Sequence, residues 1–273
     1  MGKILVTTDL SANSKPGIRF AMQLAKQRNA ELIILHVFYV LKATSWSDKT
    51  YKTYFQRAEK NIQQDLSSFM KTIVRAPNIP KVAFSVQLTH GLDTVESILA
   101  YAEKEAITYI CISTRGAGMI KKLFGTNTSD LIRRSDLPVI AVPKTWRLKP
   151  IKKVLYAADF KGYTRELRKV IAFAGPINAR VDMLHLIRND EHIHEITLGK
   201  EFNHKVHVEY KKINIENTVV EGIDEVVKDQ KPSVVVFFTH QNRSLMDRIL
   251  FPGNAEEYCF YGKVPLLTFQ KAD

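Results

Sequence analysis

The chain has only two cysteines, Cys111 and Cys259, in 273 residues. Two cysteines form neither a disulfide framework nor a metal cage. Both lie in apolar segments of different halves, where reduced core thiols belong. Long apolar runs are missing too. None reaches the roughly 18–20 residues a helix needs to span a bilayer. The longest, LIILHVFYVL at 32–41, is broken by His36 and reads as a buried strand and its exit. The N-terminus enters strand pattern at once, without the regions of a signal peptide. Val6 stands where a myristoylation signal takes Ser or Thr. A cytoplasmic location is the expectation, with no membrane partner. A Ser-His-Asp order, a nucleophile elbow and the Gly-Lys-Ser/Thr ending of a P-loop are also absent.

What is present fits a water-soluble globular protein: 45% hydrophobic and 25% charged residues. The length accommodates one large domain or two ordinary ones. The net charge of +12 is uneven. Residues 1–148 carry 21 Lys and Arg against 11 Asp and Glu, whereas 149–273 carry 19 against 17. Such a concentrated positive field suits an anionic partner. Lysines merely solvated on helix faces are the alternative.

Three landmarks occur twice in the same order. KILVTTDL (3–10) matches KVLYAADF (153–160), which pairs Asp9 with Asp159. AELIILHVF (30–38) matches ARVDMLHLI (179–187), which pairs His36 with His185. SDLPVIAVP (135–143) matches GKVPLLTFQ (262–270). This is an internal duplication of a period too long for a solenoid. It predicts two tandem domains, 1–146 and 150–273, with a basic linker at 144–150 that ends in proline.

In the first half, strands and helices alternate. Strands are expected at 3–8, 31–38, 82–88, 107–112 and 138–142. A helix is expected from about 13 to 28, with Ile18, Ala21, Met22 and Ala25 on one face. A longer one runs from about 48 to 73, with Tyr51, Phe55, Ala58, Ile62, Leu66, Phe69 and Ile73 as its core stripe. Thr94 is a candidate cap for a third helix. Near-continuous apolar strands alternating with helices predict an α/β fold. Two doubly wound domains follow, each an open five-stranded parallel sheet flanked by helices. In such sheets ligands bind beyond the carboxyl ends of the strands. Asp9, Val37 and a glycine-bearing segment, STRGAGMIKKLFGTN (113–127), all arrive at that rim.

The segments KILVTTDLSANS, LHVF and STRGAGMIKKLFGTNTSDLIRRSDLPVIAV, with weaker copies in the second half, resemble tandem universal stress proteins over essentially the whole length. The resemblance implies a five-stranded parallel sheet. It also implies ATP bound through a Gly-x2-Gly-x9-Gly-Ser/Thr loop, which some family members have lost. By that resemblance Asp9 lies near ribose or adenine, and the backbone of Val37 meets the adenine. Gly125 and Thr126 would hold the phosphates at a helix start whose free N–H groups attract anions. Thr7 and Asn127 flank these positions and complete the set.

The pattern fails at Ile112 and Arg115, where the family has its first two glycines. Gly116 and Gly118 relieve this only if the register slides, and Gly116 to Gly125 then encloses eight residues instead of nine. Arg115, Lys121, Lys122, Arg133 and Arg134 supply charge in or just after the loop, and a guanidinium can grip phosphate. Two outcomes stay open, an anion held by side chains or a degenerate loop. In the second half Asp159 and Gly253 persist, but Asn254 replaces the Ser/Thr, so no ATP is expected there. Family members usually pair through their last strands, so PVIAV and PLLTF are expected to meet within the chain as an internal pseudo-dimer. That pairing would cover an exposed edge. A homo-oligomer beyond the internal pair stays open.

His192, His194, His204 and His207 lie close in sequence, but His204 and His207 would face opposite sides of a strand, so no metal is expected. The overall expectation is a stress-response protein that binds ATP or a related adenine nucleotide, with Mg²⁺ as its companion. Catalysis is not expected beyond slow ATP hydrolysis. Two other readings remain. One is a module acting by protein association, with both loops inactive. The other is a nucleic-acid binder, which the lack of an aromatic-rich basic stripe or helix-turn-helix pattern disfavours.

Overall fold

The computed structural model of the chain describes residues 2–114, 126–158, 162–188, 198–199, 202, 206–213, 218–239 and 263–271. The first half runs β1 (Lys3–Thr7), α1 (Lys15–Arg28), β2 (Glu31–Phe38), α2 (Asp48–Val74), β3 (Phe84–His90), α3 (Thr94–Lys104), β4 (Tyr109–Thr114), α4 (Thr126–Arg134) and β5 (Val139–Pro143). The second half follows with β6 (Lys153–Ala157), α5 (Tyr163–Ala174), β7 (Arg180–Arg188), β8 (Val206–Ile213), α6 (Val219–Gln230), β9 (Val234–Thr239) and β10 (Leu266–Gln270).

All ten strands join one sheet, in the order β3-β2-β1-β4-β5-β10-β9-β6-β7-β8. Each half is parallel throughout, and the halves meet where β5 and β10 run antiparallel. That junction pairs Leu266 with Ala141, Leu267 with Ile140 and Thr268 with Val139. Val139 sits opposite Ile110 on β4, and Leu266 sits opposite Val235 on β9. Val139 and Leu266 are therefore equivalent positions, and the register is symmetric about the Ile140–Leu267 pair. PVIAV and PLLTF meet there through equivalent residues.

Alternation along the strands builds the core. Ile4 and Val6 join one buried cluster, and Leu5 between them joins the other. The first cluster takes Ile18, Phe20 and Leu24 from α1, Leu66 and Ile73 from α2, and Leu167 and Phe173 from α5. The second takes Ile98 from α3, Leu131 from α4 and Ile223 from α6. Each cluster continues beneath both halves. A side chain of this size gains roughly 1.5–3 kcal/mol on full burial.

The structure shifts some expected boundaries. α1 begins at Lys15 after a short 3₁₀ turn, Ala12–Ser14. β3 and β4 lie two residues later than the sequence pattern suggests, because pattern fixes type better than ends. The cap of α3 is Asp93, not Thr94: its carboxylate accepts from the backbone N–H of Val95 and Glu96. The α2 stripe faces inward throughout, yet only Leu66, Met70 and Ile73 of that helix are fully buried. No helix among the described residues is long and apolar enough to cross a membrane.

Candidate functional site

In the first half the strand order reverses at β1, which lies between β2 and β4. A cavity of about 350 Å³ opens there, beyond the carboxyl ends of these three strands. That volume falls at the lower end of small-molecule sites. Thr7, Asp9, Val37, Ile112 and Asn127 line it together. Thr126 opens α4 at the same rim, and only its backbone is described. Arg115, Gly116, Gly118 and Gly125 lie outside the described residues, as do Lys121 and Lys122.

The chain leaving β1 is tied down by hydroxyls. Ser14 donates to the Ser11 carbonyl at 2.8 Å, so the Thr8 hydroxyl donates to Ser14 Oγ at 2.7 Å. Thr8 Oγ1 in turn accepts the Leu10 N–H at 3.0 Å. Leu10 takes the left-handed conformation, φ 61°, which is costly for a residue with a Cβ. The Ser11 N–H reaches Asp9 Oδ1 at 3.0 Å. This network sets the exposed Asp9 at the mouth of the cavity.

Ser113 closes the floor. Its Oγ accepts the Gly17 N–H at 2.9 Å and donates to the Ser14 carbonyl at 3.1 Å. A Cβ at Gly17 would lie 2.5 Å from that oxygen, so the approach of α1 to β4 requires glycine. His36 also lines the cavity, with Nδ1 2.7 Å from the Thr8 carbonyl oxygen. A carbonyl only accepts, so Nδ1 carries the proton.

Three helical segments start at the cavity. Asn13 and Ser14 precede α1, Thr94 opens α3, and Asn127 and Thr128 lie in the first turn of α4. Helix starts present N–H groups and partial positive charge. At α3 the Asp93 carboxylate takes those groups up. Arg133 and Arg134 are in the last turn of α4 and do not line the cavity. Arg133 pairs with Asp130, and Arg134 with Asp93 at 3.2 Å. Of the basic cluster expected around the loop, these two belong to the far end of the helix.

Thr8, Asn13, Ser14, Leu35, His36, Thr94, Ile98, Ser113 and Thr128 also line the cavity and were not among the site residues expected from sequence. Thr94 and Ile98 were within reach, since every strand-to-helix turn of an open parallel sheet arrives at one rim. Ser113 opens the segment 113–127 expected at the rim, but its pairing with Gly17 had no local signal.

The model of the universal stress protein family matches residues 1–143. The chain belongs to the universal stress protein family. Its fold is similar to that of a universal stress protein from Archaeoglobus fulgidus DSM 4304, with TM-score 0.67 and 16% identity over 99% of this chain and 98% of that one. A putative universal stress protein from Pseudomonas aeruginosa UCBPP-PA14 gives TM-score 0.55 and 12% identity over 98% and 92%. A universal stress protein solved in complex with cAMP aligns with 52% of this chain and 96% of its own, at 21% identity and TM-score 0.40. No curated protein sequence matches.

The second half differs from the first at the equivalent positions. His185 repeats the arrangement of His36, with Nδ1 3.0 Å from the Ala158 carbonyl. Counting back from Ala30 and Ala179, Gly17 corresponds to Glu166, and from strand register Ser113 corresponds to Phe238. Glu166 is buried, bonds the Tyr156 hydroxyl and lies 3.3 Å from Lys271 Nζ. A carboxylate and an aromatic ring thus stand where the first half has a glycine and a serine. Asp159, Gly253 and Asn254 lie outside the described residues.

The Cys111 thiol is buried, and burial pushes its pKa up, so it is no nucleophile. Cys259 lies outside the described residues, as do His192, His194 and His204; His207 is on β8. Among the described residues no cluster of three or more His, Cys, Asp or Glu could hold a metal ion.

Proposed function

We propose that the first half binds an adenine nucleotide, foremost ATP, in the crevice between β1 and β4, and that the second half is its permanent structural partner. The carrying observation is the cavity at the strand-order reversal, lined by Thr7, Asp9, Val37, Ile112 and Asn127. Leu35, Val37, Ile98 and Ile112 supply an apolar slot for a base. Asp9 supplies an acceptor for ribose hydroxyls. The first turn of α4, with Thr126 and Asn127, faces phosphate with N–H donors. Arg115 is the side chain proposed to grip phosphate where the family uses a glycine. Mg²⁺ would be held mainly by the phosphates and water, as is usual for this ion beside few carboxylates. The symmetric β5–β10 register supports the partner role of the second half. An isologous contact between separate subunits has the same self-matching form.

Thermal melting with increasing ATP, backed by equilibrium dialysis, tests this reading. A bound nucleotide stabilises the native state by about 2.7 kcal/mol at a hundredfold excess over its dissociation constant. Arg115→Ala is expected to weaken ATP by at least about 1 kcal/mol, the scale of a charged hydrogen bond. Unchanged or tighter binding by that variant would mark the side chain as an obstruction. No change in melting temperature and no retention in dialysis would leave protein association as the function.

A further inference from the structure

The β1–β2 ladder stops one bond early. In a parallel pair the peptide groups of alternate residues face the same neighbour. On β2 those facing β1 are Glu31, Ile33, Leu35 and, next in turn, Val37. The two ends of the series fix this: the Glu31 N–H bonds the Gly2 carbonyl at 3.1 Å, and the Thr8 N–H bonds the Leu35 carbonyl at 3.0 Å. The next bond would run from the Val37 N–H to the Thr8 carbonyl. That carbonyl instead accepts His36 Nδ1 at 2.7 Å. No described backbone group takes the Val37 N–H on that side, and Val37 lines the cavity.

The second half repeats the device. The Ala158 N–H bonds the Leu184 carbonyl at 2.8 Å, and the Ala158 carbonyl then meets His185 Nδ1 at 3.0 Å. The same substitution of an imidazole N–H for a ladder N–H at both strand ends is a built feature of the fold.

We infer that His36 is a positioning residue: it occupies the Thr8 carbonyl and so keeps the Val37 peptide edge open for the base of the ligand. The Leu10 N–H, the next donor of the series that would meet the Val37 C=O, goes to Thr8 Oγ1 instead at 3.0 Å. The N–H and C=O of Val37 face the same way. They match a heterocycle that presents a ring-nitrogen acceptor beside an exocyclic amine, which is the edge of adenine. The inference rests on the nucleotide reading for its ligand, but the ladder itself can be tested without one.

Amide exchange of the unliganded protein, followed by NMR, reads the ladder directly. In the wild type and in His36→Asn, whose amide N–H can still reach the Thr8 carbonyl, Val37 should exchange at least tenfold faster than Leu35. In His36→Phe, Val37 should gain at least tenfold protection as its N–H takes the vacated carbonyl. ATP titrations of the same variants give the second arm. His36→Phe should weaken binding at least tenfold while His36→Asn stays within threefold of wild type. A Val37 amide already protected in the free wild type overturns the inference, even if His36→Phe does not fold. So does wild-type ATP affinity in folded His36→Phe. Failure of the wild type to bind ATP would remove the nucleotide reading alone, and the exchange data would still decide the role of His36.

Discussion

At the scale of single residues, the contact between Gly17 and Ser113 does the most to shape the crevice. One serine hydroxyl joins the start of α1 to the end of β4 through two hydrogen bonds. A methyl group at residue 17 would displace that hydroxyl and crowd the Ser113 backbone nitrogen at 3.1 Å. Gly17→Ala is therefore expected to cost about 1–3 kcal/mol, the usual penalty of overpacking, read as a lower urea midpoint. Stability equal to wild type would mean that the helix shifts away freely. Ser113 opens the segment expected at the rim, but Gly17 was not legible as part of a site, nor was the contact between the two. They lie 96 positions apart, and a pairing of that range leaves no local pattern in sequence. Asp9 and Val37 were legible, because Asp9 stands just past the first strand and Val37 near the end of the second, and the apolar run of each strand announces its own end.

Among the elements, α3 and α4 flank the cavity and are joined by an ion pair. Asp93 caps α3, and its carboxyl is held below the usual range, first by the Glu96 backbone N–H and then by Arg134. A carboxyl whose folded pKa is depressed stabilises the fold at pH above its unfolded value, here near 3.8. That contribution disappears as pH falls through the lower folded value. Asp93→Asn retains a capping oxygen but loses the charge. Its melting temperature should therefore fall less steeply than that of wild type from about pH 5 to about pH 2. Parallel slopes would show that the Arg134 pair and the charge on the cap contribute nothing. Helix type and span were readable for α2, expected at 48–73 and found at Asp48–Val74, because its apolar stripe is long and regular. How deeply the stripe is buried was not readable. Tyr51, Phe55, Ala58 and Ile62 are only half-covered, since the first part of α2 packs less completely against the sheet than its second part.

Across the whole molecule the halves are held by more than the β5–β10 pair. Arg28 at the end of α1 donates to the Phe173 carbonyl of α5 at 2.7 Å, with its guanidinium 5.0 Å from the centre of the Tyr109 ring. The Gln27 side chain bonds both the N–H and the C=O of Ile151, at 2.9 Å each. With both buried clusters continuing beneath the two halves, thermal and urea unfolding should be one transition, with tryptophan fluorescence and far-ultraviolet circular dichroism coinciding. Arg28→Ala should lower stability by about 1.5–3 kcal/mol, the range for a charged donor lost from a partly buried carbonyl. Two separate transitions in the wild type would mean that the continuous core does not couple the halves.

The repeated landmarks, strand-helix alternation and carboxyl-end rim follow from the sequence alone, because periodicity and strand ends are local properties. The symmetric register about Ile140 and Leu267, the serine floor under the cavity and the ladder stopped by His36 were decided only by tertiary structure. Each depends on groups brought together across long stretches of chain or across a strand pair. Only the folded arrangement determines which carbonyl a given N–H meets.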